Sequence, residues 1–225
     1  MKRNLLCWHR NEKGITGLET AIILIAFVVV AAVFAYTVLS AGLFSTQKSS
    51  EAVYSGLKEA SNTIVPRGSV IAYQGDNNLT VSESVGKVTF TISNSSNSGT
   101  EYVDLTPPYT LDAGALSLST LNTPTQITFT DANVTVPRIA WTLDWVGKHS
   151  DDNLLEPGEL AVITVWLHDF DGTDWSDGST ANGFIGTNGV DTYHTFTLEV
   201  KTPDGAVLPI QRTTPALLSP VMDLH

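Results

Sequence analysis

The stretch "GLETAIILIAFVVVAAVFAYTVLSAGLFSTQ", residues 17–47, decides the architecture of this 225-residue chain. Its last 28 residues, 20–47, carry no charge, and fourteen of them are Leu, Ile, Val or Phe. As a helix, this run would be about 42 Å long, more than the roughly 30 Å that a bilayer core requires. Exposing its large side chains to water would cost on the order of 28 kcal/mol, which exceeds the stability of a small domain. The segment must therefore lie in lipid or against similar helices.

Charge is divided unevenly along the chain. Residues 1–14 contain four Lys or Arg and one Glu, so they carry +3, and because the whole chain carries -11, residues 15–225 carry -14. A basic flank that precedes an apolar span stays on the cytoplasmic side of a membrane. Residues beyond about position 48 are therefore expected outside the cell. Their acidity argues against nucleic acid as a partner, since phosphate binding needs clustered Lys and Arg.

The N-terminus differs from an ordinary secretory signal, which has an apolar stretch of about 7–15 residues and a small-residue cleavage site. Here the apolar run is about twice as long, and no Ala-x-Ala pattern closes it. A signal anchor that is never cut is the plain alternative. It leaves the Lys13-Gly14 junction and Glu19 unexplained, because a carboxylate drawn into an apolar core costs a few kcal/mol.

Residues 12–44, "EKGITGLETAIILIAFVVVAAVFAYTVLSAGLF", resemble the N-terminus of archaellins, the filament proteins of the archaeal flagellum, or archaellum. More broadly, they resemble the class III signal sequences of type IV pilin-like proteins. The resemblance rests on a basic leader, a Lys-Gly junction, a Glu five residues later and an unbroken apolar helix. It covers residues 10–60; the rest of the chain shares only a general character.

The resemblance implies roles for three residues near the junction. A membrane prepilin peptidase would cut between Gly14 and Ile15 on the cytoplasmic face, which removes residues 1–14 as a class III signal peptide. Glycine suits this position, because a backbone without Cβ can approach a protease cleft closely. Glu19 would help subunits to dock by pairing with a neighbour's new N-terminal amine. In the alternative role, its negative charge interacts favourably with the positive, N-terminal end of the helix macrodipole. Both roles can hold.

The remaining sequence predicts an α+β fold class, in which a long N-terminal hydrophobic α-helix precedes an all-β (Ig-like) sandwich head domain. Residues 15–65 are predicted to form the helix, apolar at first and then amphipathic, and Pro66-Arg67-Gly68 is expected to end it. Residues 66–225 form the external domain. Alternating or largely apolar runs predict strands over 87–93, 126–130, 160–167 and 196–201. The single cysteine, Cys7, lies in the leader, so this domain must be held by its core alone.

Three N-glycosylation sequons occur, at Asn78-Leu79-Thr80, Asn94-Ser95-Ser96 and Asn133-Val134-Thr135. Their number is close to chance, so their weight comes from the expected external location and from the resemblance, since archaellins are commonly N-glycosylated. Asn78 and Asn94 lie in polar, turn-like stretches and are the better candidates, with Asn133 close behind.

Two acidic loops offer oxygen ligands of the kind that a hard cation such as Ca²⁺ prefers. Neither matches the full EF-hand pattern, so a solvated turn is the favoured interpretation of both. The resemblance keeps calcium in the external domain as a second interpretation, because some archaellins bind metal there. No cofactor is required. The candidate ligands are Asp151, Asp152, Asn153 and Glu156 in the first loop, and Asp169, Asp171 and Asp174 in the second.

Catalysis has little support in the sequence. His149-Ser150-Asp151 and His168-Asp169 are neighbours along the chain, where adjacent strand residues point to opposite faces. No HExxH, GxSxG or phosphate-loop motif occurs. The sequence therefore indicates a structural protein and not an enzyme.

The resemblance implies a precursor held in the cell membrane with its leader in the cytoplasm, and then an extracellular archaellum filament used for swimming. The implied partners are other copies, other archaellins, the prepilin peptidase and the motor platform of the archaellum. Two alternatives stay open. The first is an adhesive type IV pilin with the same N-terminus, and the second is a membrane-anchored external enzyme whose leader is never cut.

Overall fold

The computed structural model describes residues 13–61, 63–75, 79–81, 83–95, 102–203 and 205–224. The chain divides into two compact units, Met1–Tyr54 and Ser55–His225. The described part of the first unit is helical throughout. The second unit contains the last turns of that helix and a β-rich region, called the head domain below.

The N-terminal helix, α1, runs over Lys13–Ser61 and has 49 residues. Val28, Val29 and Val30 are poor helix formers in water, but in apolar surroundings only a helix satisfies the backbone internally. The C-terminal end is capped by Thr63, whose hydroxyl donates to the carbonyl oxygen of Glu59 over 3.0 Å. The apolar run thus passes without a break into the amphipathic segment, as the sequence predicted.

The expectation that Pro66-Arg67-Gly68 ends the helix is wrong. The helix ends at Ser61, and these three residues lie inside the first strand, β1, Ile64–Gln74. Proline is tolerated at position 66 because the edge of β1 that faces the last strand is paired only from Val70 onward. The N–H that proline lacks is therefore not needed for pairing with the last strand. Gly68 has a φ of 80° and lies in an irregular step of the pairing with the second strand, as in a β-bulge.

The other strands follow in chain order. They are β2 Val85–Asn94, β3 Val103–Asp104, β4 Tyr109–Asp112, β5 Ala115–Leu118, β6 Gln126–Thr130, β7 Thr135–Val136, β8 Ala140–Val146, β9 Leu154–Leu155, β10 Leu160–Trp166, β11 Asp169–Phe170, β12 Trp175–Ser176, β13 Thr195–Lys201, β14 Leu208–Thr213 and β15 Val221–Leu224. A short 3₁₀ turn covers Thr180–Asn182. The four strands predicted from alternation correspond to β2, β6, β10 and β13.

Two antiparallel sheets make up most of the head domain. One has the strand order β15-β1-β2-β10-β8, and the other has the order β14-β13-β6-β7. The registers place apolar residues opposite one another, for example Ile163 across from Phe90 and Leu198 across from Phe129. Cross-strand pairs of this kind are the unit of sheet stabilisation. The described residues of the domain also form three short two-stranded ladders, β3 with β9, β4 with β5 and β11 with β12.

The core lies between the two sheets. In β2, Val88, Phe90 and Ile92 are buried, and β13 shows the same alternation; side chains of both sheets belong to one apolar cluster. Phe129 of β6 and Phe196 of β13 stack with ring centroids 5.9 Å apart. The predicted sandwich is therefore confirmed.

A second apolar cluster covers the opposite face of the larger sheet. It contains Trp166 at the end of β10, with Phe170 stacked on it at a centroid distance of 5.8 Å and the tilted ring of Trp175 at 5.7 Å. The ammonium of Lys87 lies 4.6 Å from the centroid of the Trp166 ring, a cation–π distance. Burial lowers the pKa of Lys87, although the charge of Asp144 acts in the opposite direction. Trp166 and Trp175 therefore serve packing.

Candidate assembly interface and head-domain sites

The surface of α1 is the first candidate interface. Over Gly17–Glu59 the helix is long and apolar enough to cross a membrane, and each side chain in that range is exposed. Phe27 is 75% exposed and Leu24 is 66% exposed. A contiguous apolar surface of this size marks a site of protein or membrane interaction. The single chain thus presents an interface that only lipid or other chains can cover.

The expected cleavage junction lies at the start of this helix. The backbone of Gly14 and Ile15 belongs to the first turn of α1, whereas leader residues 1–12 lie outside the described residues. Glu19 is exposed and lies four residues after Ile15, which places both residues on one side of the helix.

The three predicted glycosylation sites differ in their structural surroundings. Asn78 lies outside the described residues, although the hydroxyl and the amide of Thr80 in its sequon both bond to the carboxylate of Asp177. The expectation that Asn94 lies in a polar, turn-like stretch is wrong, because it ends β2 and is only 5% exposed. Asn133 is exposed, in the tight turn between β6 and β7. Of the two sequon asparagines that the structure describes, Asn133 alone has the accessibility that a glycan acceptor needs.

The turn that carries Asn133 is held by a buried carboxylate that the sequence analysis missed. Asp131 accepts bonds from the amides of Asn133 and Val134 over 2.7 and 2.6 Å. Its second oxygen lies 2.9 Å from Nε2 of His194, and the Asp131 side chain is only 1% exposed. Because His194 is 63 residues away, no local pattern could have indicated this pair.

The acidic loops use their carboxylates within their own turns. Asp152 accepts from the hydroxyl of Ser150 and the amide of Leu154, and Asp171 accepts from the amides of Thr173 and Asp174. The amides of Asp174 and Thr173 also lower the pKa of Asp171. Among the described residues, which include all seven candidate ligands, no three acidic, His or Cys side chains converge as a metal site. Calcium binding stays a prediction, and the contacts agree with the turn interpretation.

A buried polar pair joins three distant segments of the head domain. Oγ of Ser84 lies 3.2 Å from Nε2 of His168 and accepts the N–H of Val190 over 2.9 Å. Ser84 and His168 are almost fully buried. Burial lowers the pKa of His168, and the charge of Asp177 offsets part of this effect. The histidine is therefore neutral near pH 7, where it stabilises loops instead of titrating.

The histidine-containing runs form no catalytic set. His149 stacks on Trp145 with ring centroids 5.4 Å apart, and the hydroxyl of Ser150 donates to Asp152 and not to a histidine. Ser84 beside His168 has no access to solvent, so a substrate could not reach it. A nucleophile and base need both hydrogen-bond contact and an accessible position.

The fold and the helix surface define a class of protein: a chain in which a long, exposed apolar N-terminal helix precedes a β-sandwich head. The family model for archaeal-type flagellins matches residues 14–212. The chain belongs to this family.

Relatives and a solved structure agree with this membership. The chain is 36% identical to probable flagellin 2 of Archaeoglobus fulgidus over 212 residues, which cover 92% of each chain. It is 33% identical to probable flagellin 1 of Aeropyrum pernix, covering 93% of this chain and 95% of the other. The structure of the archaeal flagellum of Methanospirillum hungatei strain JF1 matches with a TM-score of 0.56 and 25% identity, covering 92% of this chain and 98% of that one.

The resemblance to archaellins is thereby confirmed. The chain is a structural subunit that assembles with other flagellins into the filament of the archaellum, which is extracellular.

We expect Asn133 to be the accessible acceptor of the two described sequons. The variant Asn133→Gln should lower the intact mass of the filament protein by one glycan, because its side chain lies in an exposed turn. Asn94→Gln is the matched control and should leave the glycan mass unchanged. Mass spectrometry of filaments sheared from cells measures both, and an Asn133→Gln protein of full glycan mass would contradict the expectation.

The buried His168 should make the head domain less stable in acid. Its folded pKa lies below the unfolded value of about 6.5, so the unfolded chain binds the proton first, and stability falls as the pH drops below about 6.5. Urea unfolding of the full chain in detergent, followed by tryptophan fluorescence at several pH values, measures this loss. His168→Gln should flatten the pH dependence, and the exposed His149→Gln should not. Equal slopes for wild type and His168→Gln would contradict the prediction.

Proposed function

We propose that the chain is made as a membrane-held precursor, is cut between Gly14 and Ile15, and then enters the core of the archaellum filament through α1. The observation that carries this proposal is the full exposure of an apolar helix over Gly17–Glu59 in the single chain. Before cutting, the basic leader keeps the N-terminus in the cytoplasm and the helix in the bilayer. After cutting, the helix exchanges lipid contacts for contacts with other copies.

This exchange is energetically plausible because apolar side chains stay out of water at each stage. Helices in lipid associate through close packing and not through a hydrophobic driving force, so the gain per contact is modest. A long helix makes many such contacts. Head-to-tail contacts that do not close into a ring continue as a helical polymer. The helix thus supports both the membrane stage and the filament stage.

Cleavage supplies a new charge where assembly needs one. Hydrolysis of the Gly14–Ile15 peptide bond removes a leader with net charge +3 and leaves an amine on Ile15. Glu19 offers the complementary carboxylate one helical turn further on. Pairing of this carboxylate with the Ile15 amine of a neighbouring copy would fix the axial register of the two helices. The same carboxylate also favours the positive end of its own helix dipole.

A structural role is supported by the chemistry of one cleft in the head domain. This cleft of about 260 Å³ is lined by residues that include Tyr109, Arg138 and Trp141. The hydroxyls of Tyr109 and Thr125 in its lining donate to backbone carbonyl oxygens, and its described lining includes no Asp, Glu, His or Lys that could activate them. The head would therefore serve as the outer coat of the filament, with rotation supplied by a separate motor platform.

The N-terminus of filament protein tests the proposed processing. Sequencing of subunits from sheared filaments should begin at Ile15, because the peptidase step precedes assembly. Gly14→Val should leave the leader attached and the subunit in the membrane fraction, since a branched side chain prevents close approach of the backbone to a protease. Gly17→Val, in the second turn, is the control and should be cut normally. Filaments whose subunits still begin at Met1 would contradict the proposal.

If Glu19 acts in docking, loss of its charge should impair filament assembly without impairing cleavage of the leader. Glu19→Gln keeps the size and shape of the side chain and removes its charge. Cut subunits should accumulate in the membrane while the yield of filaments drops at least about tenfold, as loss of a desolvated charge pair would produce. Glu59→Gln, at the polar end of α1, should assemble normally. If Glu19→Gln subunits form filaments at the wild-type yield, the docking role is contradicted. Glu19 would then act only on the dipole of its own helix.

A further inference from the structure

Three threonine hydroxyls of the apolar helix donate to the helix's own backbone. Thr20 donates to the carbonyl oxygen of Gly17 over 3.0 Å, Thr37 to that of Phe34 over 2.8 Å, and Thr46 to that of Leu43 over 2.9 Å. A bond of this type removes the cost of placing a hydroxyl in apolar surroundings. Serine hydroxyls can rotate onto the same kind of carbonyl.

Tyr36 is different because its hydroxyl stands at the end of a rigid ring that extends away from the helix axis. Its own backbone carbonyls are out of reach. Tyr36 is 73% exposed, and within the described part of the chain its hydroxyl takes part in no hydrogen bond. It is thus a polar group inside the charge-free run that the helix cannot satisfy by itself.

In the membrane this hydroxyl has a ready partner in water. The helix rises about 28 Å from Gly17 to Tyr36, close to the thickness of the bilayer core. Residues 21–35 contain no polar side chain, and Tyr36 and Thr37 end that stretch. Tyrosine is favoured at the membrane–water boundary, where its ring lies in the interface and its hydroxyl is hydrated. From Gly17 to Phe44 the helix would span about 40 Å, the thickness of a bilayer with its headgroup regions, so Tyr36 and the apolar residues after it suit the outer interfacial region.

The same hydroxyl loses this water when α1 enters the filament core, the step on which this inference rests. We propose that in the filament the hydroxyl of Tyr36 donates a hydrogen bond to an oxygen on α1 of a neighbouring copy. Ala32 and Ser40 lie one turn before and one turn after Tyr36, and small residues there let a second helix come close. Thr37 offers an acceptor of the right kind, since its own proton is already bonded to Phe34.

The variant Tyr36→Phe tests this bond because it removes only the hydroxyl. Filaments of Tyr36→Phe should dissociate at a lower denaturant concentration, and the critical concentration for assembly should rise roughly threefold to tenfold. Tyr54→Phe is the matched control. It lies about five helical turns further on and projects from the same side, but in the amphipathic segment where water remains available. Sedimentation of sheared filaments after graded denaturant treatment measures both variants.

The outcomes separate this inference from the proposed function. Equal stability of Tyr36→Phe and wild-type filaments would overturn the inter-subunit bond while leaving the filament role intact. Failure of Tyr36→Phe to form filaments, with cut subunits accumulating in the membrane, would support it. High-resolution imaging of wild-type filaments gives a direct check: the Tyr36 oxygen should lie about 3 Å from an oxygen of a neighbouring helix. A ring surrounded only by apolar side chains would overturn the inference, and a wild-type chain absent from filaments would instead overturn the proposed function.

Discussion

The structure depends on one constraint, which is that the apolar surface of α1 must never meet water. This constraint explains why the helix has no break across its charge-free run, residues 20–47, since an interruption would expose backbone groups that lipid cannot satisfy. It also explains why threonine hydroxyls in this segment bond to their own helix. Lipid and a bundle of like helices are the two environments that meet this constraint.

The head domain meets a different demand, since it must be stable outside the cell without a disulfide. Its two sheets provide a continuous core in which Phe129, Phe196 and their neighbours exclude water. Buried polar contacts then join the loops to that core. Ser84, His168 and Val190 connect three segments, and Asp131 with His194 holds the turn after β6. Such contacts specify how loops lie once the sheets have formed.

The acidic loops show how one residue pattern admits two structures. Closely spaced Asp residues provide oxygens for a cation, but they equally form Asx turns by accepting neighbouring amides. In this chain Asp152 and Asp171 are engaged in such turns. The choice depends on whether side chains from separate segments converge, and that is a property of the fold.

The sequence by itself determined the long helix, the sandwich and its principal strands, because hydrophobic length and alternation are local patterns that local physics converts into secondary structure. It also determined the family, since the residues around Lys13, Gly14 and Glu19 lie within one short stretch. It misplaced the helix end at Pro66, because the pairing of β1 with β2 overrides local signals. Only the tertiary structure decided that Asn94 is buried, that Asn133 is accessible, and that His168 and His194 have distant partners. Burial and contact between residues far apart in sequence arise when the sheets pack, and no local pattern records them.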